Sequence, residues 1–197
     1  MVTRDLEPPM ARGSVTFYTG CMFSGKSSSL IGRVREIGRH FECFKPTVDT
    51  RDVGFIVSRD KGVKPLAAKS IDDIREAAGS TADVIVFDEV QFFRPEDFEE
   101  TISSLKEKGK IVLLGGLDRI ANGKYWEIYP LALKVADKVI NLTALCSICG
   151  EKATYTKKLV GSNADIEIEG EEAVFAPVCE KCFKSGQKFS ENSSGIG

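Results

Sequence analysis

Apolar residues in this chain recur with two periods, and the two alternate along most of its length. Residues 14–19, SVTFYT, form a short β-rich run that leads into Gly20 and a glycine-spaced loop, which reads as a buried strand. After Lys26, Leu30, Val34 and Ile37 fall at i, i+4 and i+7 with polar residues between them, and this predicts an amphipathic helix stopped by Gly38. HFECF (40–44) suggests a second strand and IDDIREAAG (71–79) a helix. DVIVFDE (83–89) is a compact apolar run closing on two acids, as a parallel strand does when its C-terminal end opens onto a site. A helix follows, with Pro95 suited to its first turn and Phe98, Ile102 and Leu105 on one face before Gly109. KIVLLGG (110–116) reads as another central strand, IYPLALKVA (128–136) as a helix in spite of Pro130, and KVINLTAL (138–145) as a further strand.

Strands and helices alternating over short connections predict the α/β class: an open, mostly parallel sheet with helices on both faces, spanning residues 14–145. Beyond Cys146 the texture changes to short alternating runs, TYTKKL and DIEIE, broken by Gly161, Asn163 and Gly170 and bounded by a CxxC at each end. A small metal-clamped β domain is expected over 146–190, with flexible tails at 1–13 and 191–197. The sequence holds no internal repeat.

Composition narrows the class. Across 197 residues, 27 Lys and Arg face 29 Asp and Glu for a net charge of −2, and 42% of positions are hydrophobic, as in a soluble globular protein of one or two domains. So balanced a charge argues against broad adhesion to nucleic acid or anionic lipid. No apolar run reaches the ~18 residues of a membrane span, and the N-terminal stretch lacks the apolar core of a secretory signal. A cytoplasmic protein without membrane or nucleic-acid partners is the expectation.

Two clusters carry chemistry. Gly20-Cys21-Met22-Phe23-Ser24-Gly25-Lys26-Ser27 matches GxxxxGK[ST] between a predicted strand and a predicted helix. Its glycines let successive N–H groups and the helix N-terminus face an anion, Lys26 adds a mobile charge, and the Ser27 hydroxyl suits Mg²⁺. The expected ligand is a nucleoside triphosphate, held by Gly20, Ser24, Gly25, Lys26, Ser27 and Ser28. Asp88, closing its apolar strand, is the expected acid near Mg²⁺, and Glu89 is the candidate general base for a substrate hydroxyl. Cys146, Cys149, Cys179 and Cys182 form two CxxC pairs separated by 29 residues. Four thiolates make the closed tetrahedral shell of a structural Zn²⁺ site, with an iron–sulfur cluster or a redox dithiol as the rivals.

GCMFSGKSSSL, FKPTVDTRD, FDEVQFF, TALCSICGEKATYTKKL and FAPVCEKCF, in this order over roughly residues 14–185, resemble the type II thymidine kinases. The resemblance implies a RecA-like P-loop sheet joined to a zinc-binding domain whose lasso loop wraps the nucleoside. It implies transfer of the ATP γ-phosphate to the thymidine 5′-hydroxyl, a homotetramer, and feedback inhibition by dTTP. On that pattern Glu89 is the base, Ser27 and Asp88 are Mg²⁺ partners, and Arg51 with Lys26 stands beside the transferring phosphoryl group, with Asp49 nearby. Met22, Phe92, Leu117 and Trp126 resemble the apolar walls around base and sugar, Thr156 limits space at the thymine methyl, and Phe175 covers the sugar. Phe175 replaces the usual Tyr, Ala121 stands where an aromatic is often found, and Cys21 replaces the usual Pro of the phosphate loop. The rival class is a P-loop ATPase whose zinc module grips nucleic acid. Against it, 146–190 mixes Lys with Glu and lacks dense Arg.

Overall fold

The computed structural model describes residues 13–160 and 174–185. In chain order its first elements are β1 (Ser14–Gly20), α1 (Lys26–Ile37), β2 (Phe41–Pro46), β3 (Phe55–Ile56), β4 (Leu66–Ala67), β5 (Lys69–Ile71) and β6 (Val84–Phe87). Then come α2 (Phe98–Glu107), β7 (Ile111–Leu117), α3 (Ile128–Val135), β8 (Lys138–Leu142), β9 (Ala144–Leu145), β10 (Lys152–Ala153), β11 (Tyr155–Val160), β12 (Val174–Val178) and α4 (Glu180–Lys184). Six strands build one parallel sheet in the order β5-β2-β6-β7-β1-β8. β7 separates β1 from β6, which is the RecA-like order the family resemblance implies.

Parallel strands need cover on both faces, and the alternation of side chains shows how it is met. Val15, Phe17, Ile85, Phe87, Val112 and Leu114 turn to one face, where Phe98, Ile102 and Leu105 of α2 and Ile128 and Ala132 of α3 pack. Tyr18, Val84, Val86 and Leu113 turn to the other, against Leu30, Ile31 and Val34 of α1 and Ile56 and Leu66 of the β3–β4 hairpin. Gly38 ends α1 in a left-handed conformation, φ 64°, donating its N–H to the Val34 carbonyl. Pro130 is the third residue of α3, where its missing N–H would have had no intrahelical acceptor.

Three local expectations are corrected. The stretch 71–79 is no α-helix: Ile71 ends β5, and 74–79 forms a 3₁₀ helix capped by Asp73 and Glu76. Ile74 and Ala77, its buried residues, are three apart, which suits a three-residue turn. Pro95 lies in the turn ahead of α2 and outside the helix itself. The run 138–145 divides in two: β8 joins the sheet, whereas β9 pairs antiparallel with β10. The remaining module adds the antiparallel β11–β12 pair and α4. DIEIE, Gly161, Asn163, Gly170, the middle of the expected lasso, 186–190 and nearly all of both expected tails lie outside the described residues. Among the described residues no helix is long and apolar enough to cross a membrane.

Candidate active site

The C-terminal ends of β1, β6 and β7 meet at one cleft, as ligand sites do in open parallel sheets. Its floor is the phosphate loop. Gly20 takes φ 146°, and a Cβ there would lie 2.2 Å from the Leu142 carbonyl oxygen, so only glycine lets the loop leave the sheet at this point. Gly25 is left-handed, as is Phe23 despite its side chain. The Lys26 ammonium is buried and donates to the Cys21 carbonyl at 2.8 Å. Burial lowers its pKa, and the nearby Glu89, Cys21 and Asp88 oppose the shift. The Ser24 hydroxyl is buried without a hydrogen-bond partner, a polar atom suited to an anion in the loop.

Asp88 accepts from the Ser27 hydroxyl at 2.9 Å. Burial and the charge of Glu89 push its carboxyl up to about 7, and the Ser27 hydroxyl and the Glu89 N–H only partly offset them. A hydroxyl and a carboxylate side by side are hard oxygen donors of the kind Mg²⁺ takes together with phosphates. The strand leaves room for them: a Cβ on Gly115 of β7 would lie 2.8 Å from Asp88 Oδ1. The Ser28 hydroxyl, expected at the phosphates, instead bonds Ser58 at 2.7 Å and Asp60 at 2.6 Å, tying α1 to the segment after β3.

Glu89 follows in a left-handed conformation, φ 54°, which a non-glycine residue holds only where its surroundings enforce it. Two partners hold its carboxylate. The Arg51 guanidinium donates to Oε1 at 2.7 Å, and the Gln91 amide donates to Oε2. Gln91 accepts in turn from the Leu117 N–H at 3.0 Å, so the acid is referenced to the end of β7. On the other side Arg51 Nε donates to Asp49 Oδ1 at 2.8 Å, and the Lys45 ammonium stands 2.8 Å from Asp49 Oδ2. Burial would raise the Asp49 pKa, but Arg51 and Lys45 outweigh it and hold the carboxyl below its ordinary value.

A Cβ on Gly116 would lie 2.5 Å from Val90 Cγ2 and 3.2 Å from Gln91 Oε1. Gly116→Ala is therefore expected to cost ~1–3 kcal/mol of stability by overpacking and to lower turnover by displacing the groups around Glu89. A thermal melt read beside initial rates checks it; wild-type values of both would contradict the packing argument.

Above the loop the cleft is apolar. Met22, Phe92, Leu117, Ala121, Trp126, Thr156 and Phe175 all line it, with the Phe92 and Trp126 rings edge to face at 5.5 Å. Thr156 is buried and accepts the Met22 N–H at 2.9 Å, a bond from the phosphate loop to β11. Cys21 adds a second tie, its thiol 3.5 Å from the Ala153 carbonyl and packed among Ala153, Val178 and the buried cysteines.

Cys146, Cys149, Cys179 and Cys182 gather so that their sulfurs all lie within 4.8 Å of one another. Cys149 Sγ and Cys179 Sγ are 3.6 Å apart, close to the ~3.8 Å edge of a tetrahedron with metal–sulfur bonds of ~2.3 Å. Burial acts to raise the Cys146 thiol, but the backbone groups of Cys179, Cys149 and Ile148 outweigh it and bring it down to about 6. Burial and the neighbouring thiols push Cys182 up to about 12. Four sulfurs gathered this closely fit a bound divalent cation, and they would leave no ligand position open.

Every residue expected in the phosphate, catalytic and apolar groups thus borders this cleft or, for Gly20 and Ser24, the loop beneath it. The sequence reading missed Lys45, Gln91, Ser58, Asp60 and Arg119. Arg119 lies over the Tyr125 and Tyr155 rings at 4.7 and 4.6 Å and joins the sheet to the cysteine module. Gln91, two residues beyond Glu89, and Lys45, inside FKPTVDTRD, had a signal in their positions; Ser58, Asp60 and Arg119 had none. Two thymidine kinases, from two strains of Porphyromonas gingivalis, are each 34% identical over 179 residues, covering 88% of this chain and 86% of theirs. Among solved structures, the genome packaging NTPase of Sulfolobus turreted icosahedral virus 2 in complex with ATP-gammaS aligns over 67% of this chain and 75% of its own. Its TM-score is 0.39 at 15% identity, too slight a likeness to bear on function. The thymidine kinase family model matches residues 13–183, and with the P-loop, the paired acids and the cysteine module in place, the chain belongs to the thymidine kinase family.

Proposed function

We propose that this protein transfers the γ-phosphate of ATP to the 5′-hydroxyl of thymidine, giving dTMP and ADP. The observation that carries the reading is the Glu89–Arg51 pair, 2.7 Å apart, set between the phosphate loop and an apolar-walled cleft of about 290 Å³. Glu89 takes the proton of the 5′-hydroxyl as the new oxygen–phosphorus bond forms. The bond from the γ-phosphorus to the β,γ-bridging oxygen breaks, and ADP leaves with that electron pair. Charge spreads over the equatorial oxygens of a loose transition state, where the guanidinium of Arg51 and the ammonium of Lys26 offset it. Ser27 and Asp88 would hold Mg²⁺, which when bound would offset phosphate charge. Met22, Phe92, Leu117, Trp126 and Phe175 bury the nucleoside and exclude water, so that the phosphoryl group meets the hydroxyl and not bulk solvent.

In this reading the four cysteines hold a structural Zn²⁺, ATP is the donor, and dTTP is a feedback inhibitor. The protein is a cytoplasmic homotetramer, with domain limits at 14–145 and 146–190. These finer traits rest on the family resemblance and on the donor sets described above.

The test is ATP- and Mg²⁺-dependent formation of labelled nucleoside monophosphate from thymidine, deoxyuridine, deoxycytidine and deoxyadenosine. Product from thymidine, with less from deoxyuridine and none from the others, is the expected result. Hydrolysis of ATP without any nucleotide product overturns the reading and favours an ATPase serving another partner.

Thr156 separates two effects. Thr156→Ser keeps the hydroxyl that accepts from Met22 and removes a methyl, so the thymidine to deoxyuridine ratio of kcat/KM is expected to shift with the KM for ATP unchanged. Thr156→Val keeps the shape and removes the acceptor, so the KM for ATP is expected to rise several-fold as one loop N–H loses its partner, roughly 1 kcal/mol. Identical selectivity in both variants would remove Thr156 from the base pocket.

A further inference from the structure

We propose that Lys45 is a positioning residue for phosphoryl transfer: through Asp49 and the Arg51 carbonyl it fixes where the Arg51 guanidinium stands. The inference rests on the roles given to Arg51 and Glu89 above. Lys45 ends the apolar face of β2 at 4% exposure, and an ammonium so placed is costly unless it is fully paired. Its Nζ lies 2.8 Å from Asp49 Oδ2 and also donates to the backbone carbonyl of Arg51. Asp49, 3% exposed, uses its other oxygen to accept Arg51 Nε at 2.8 Å and the Arg51 N–H at 3.2 Å. Lys45 therefore grips the arginine twice, once through the carboxylate under its side chain and once through its own main chain.

Apolar packing does little of this work. The segment from Thr47 to Gly54 is turn and irregular backbone, and Val48 and Val53 within it are exposed. The segment is placed by polar contacts, among which the buried Lys45–Asp49 pair is the deepest. The two cations also share one carboxylate. With Lys45 present, Asp49 is already neutralised, so the charge of Arg51 is left for Glu89 and the phosphoryl group; without it, Asp49 would draw that charge to itself. Catalysis of phosphoryl transfer is almost wholly placement and electrostatics, so a displaced guanidinium is felt in turnover.

The experiment compares wild type, Lys45→Met, Lys45→Arg, Asp49→Asn and the Lys45→Met/Asp49→Asn pair, with Lys45→Met repeated in an Arg51→Met background. Each is read by kcat, by KM for thymidine and ATP, and by thermal melt. Lys45→Met is expected to lower kcat ~10- to 100-fold while KM for thymidine moves less than about threefold, and Lys45→Arg is expected to restore most of the loss. In the Arg51→Met background Lys45→Met should cost less than about threefold more, because the residue it positions is gone. If Lys45→Met unfolds from the lone buried carboxylate, the double variant leaves no unpaired charge and carries the same prediction. An unchanged kcat in folded Lys45→Met, or in the double variant where Lys45→Met does not fold, overturns the proposal, as does an equal loss with and without Arg51. A wild type that makes no dTMP overturns the functional reading itself, and this inference falls with it.

Discussion

Glu89→Gln is expected to lower dTMP formation by ~10²-fold or more while ATP still binds within about threefold of wild type. The amide keeps the size of the side chain, the left-handed backbone and one oxygen for a hydrogen bond, so the change is close to chemical alone. What it removes is the only group proposed to take the proton of the 5′-hydroxyl, together with the anion that faces Arg51 at 2.7 Å. ATP affinity should survive because the loop N–H groups, Lys26 and Ser27 are untouched. Turnover followed by labelled product, beside titration of ATP against each protein, separates the two. A variant with near-normal turnover would strip Glu89 of its role as base.

Removing the metal is expected to have the second large effect. The four cysteines offer a closed set of donors, so an ion they hold would have no part in bond making, and its binding energy would act as folding energy. Phe175 stands four residues before Cys179 on β12, and Thr156 pairs with Pro177 across the β11–β12 ladder. Both cleft residues therefore hang from the cluster. Chelation, or Cys179→Ser, should lower the melting temperature and reduce thymidine phosphorylation ~10²-fold or more, since binding and orientation at one wall are lost together. The parallel sheet, with its own core, should keep most of its secondary structure by circular dichroism. Metal analysis of the untreated protein should give one zinc per chain. Full activity after complete removal of the metal would contradict the structural role.

The sequence made the phosphate loop and the cysteine cluster legible because both are short-range patterns: a glycine rhythm between strand and helix, and thiols at CxxC spacing. The central strands were readable because burial on both faces leaves apolar runs such as VIVF and IVLL. Placement of Thr156 against Met22 was not readable from spacing, since the two are 134 residues apart. Lys45 was missed for a related reason. It stands in FKPTVDTRD beside Asp49 and Arg51, but only the fold shows it buried against Asp49. The stretch 71–79 misled because Ile74 and Ala77 at i and i+3 serve a 3₁₀ turn as well as an α-helix. Gly115 and Gly116 looked like ordinary strand residues, and their purpose appears only when Leu30 and Asp88, and Val90 and Gln91, are seen to occupy the space.

The bonds from Met22 to Thr156 and from Cys21 to Ala153 span 134 and 132 residues, respectively. A ribosome makes the phosphate loop early and those partners late. Lys26, Asp88, Glu89 and the strand ending at Leu117 have all been made before Ala153 is joined to the chain. The growing protein thus acquires its acids and its lysine long before the braces of its donor loop, and folding domain by domain leaves the loop waiting. The braces close only after Cys179 and Cys182 have followed, when the cysteine module can fold onto the sheet.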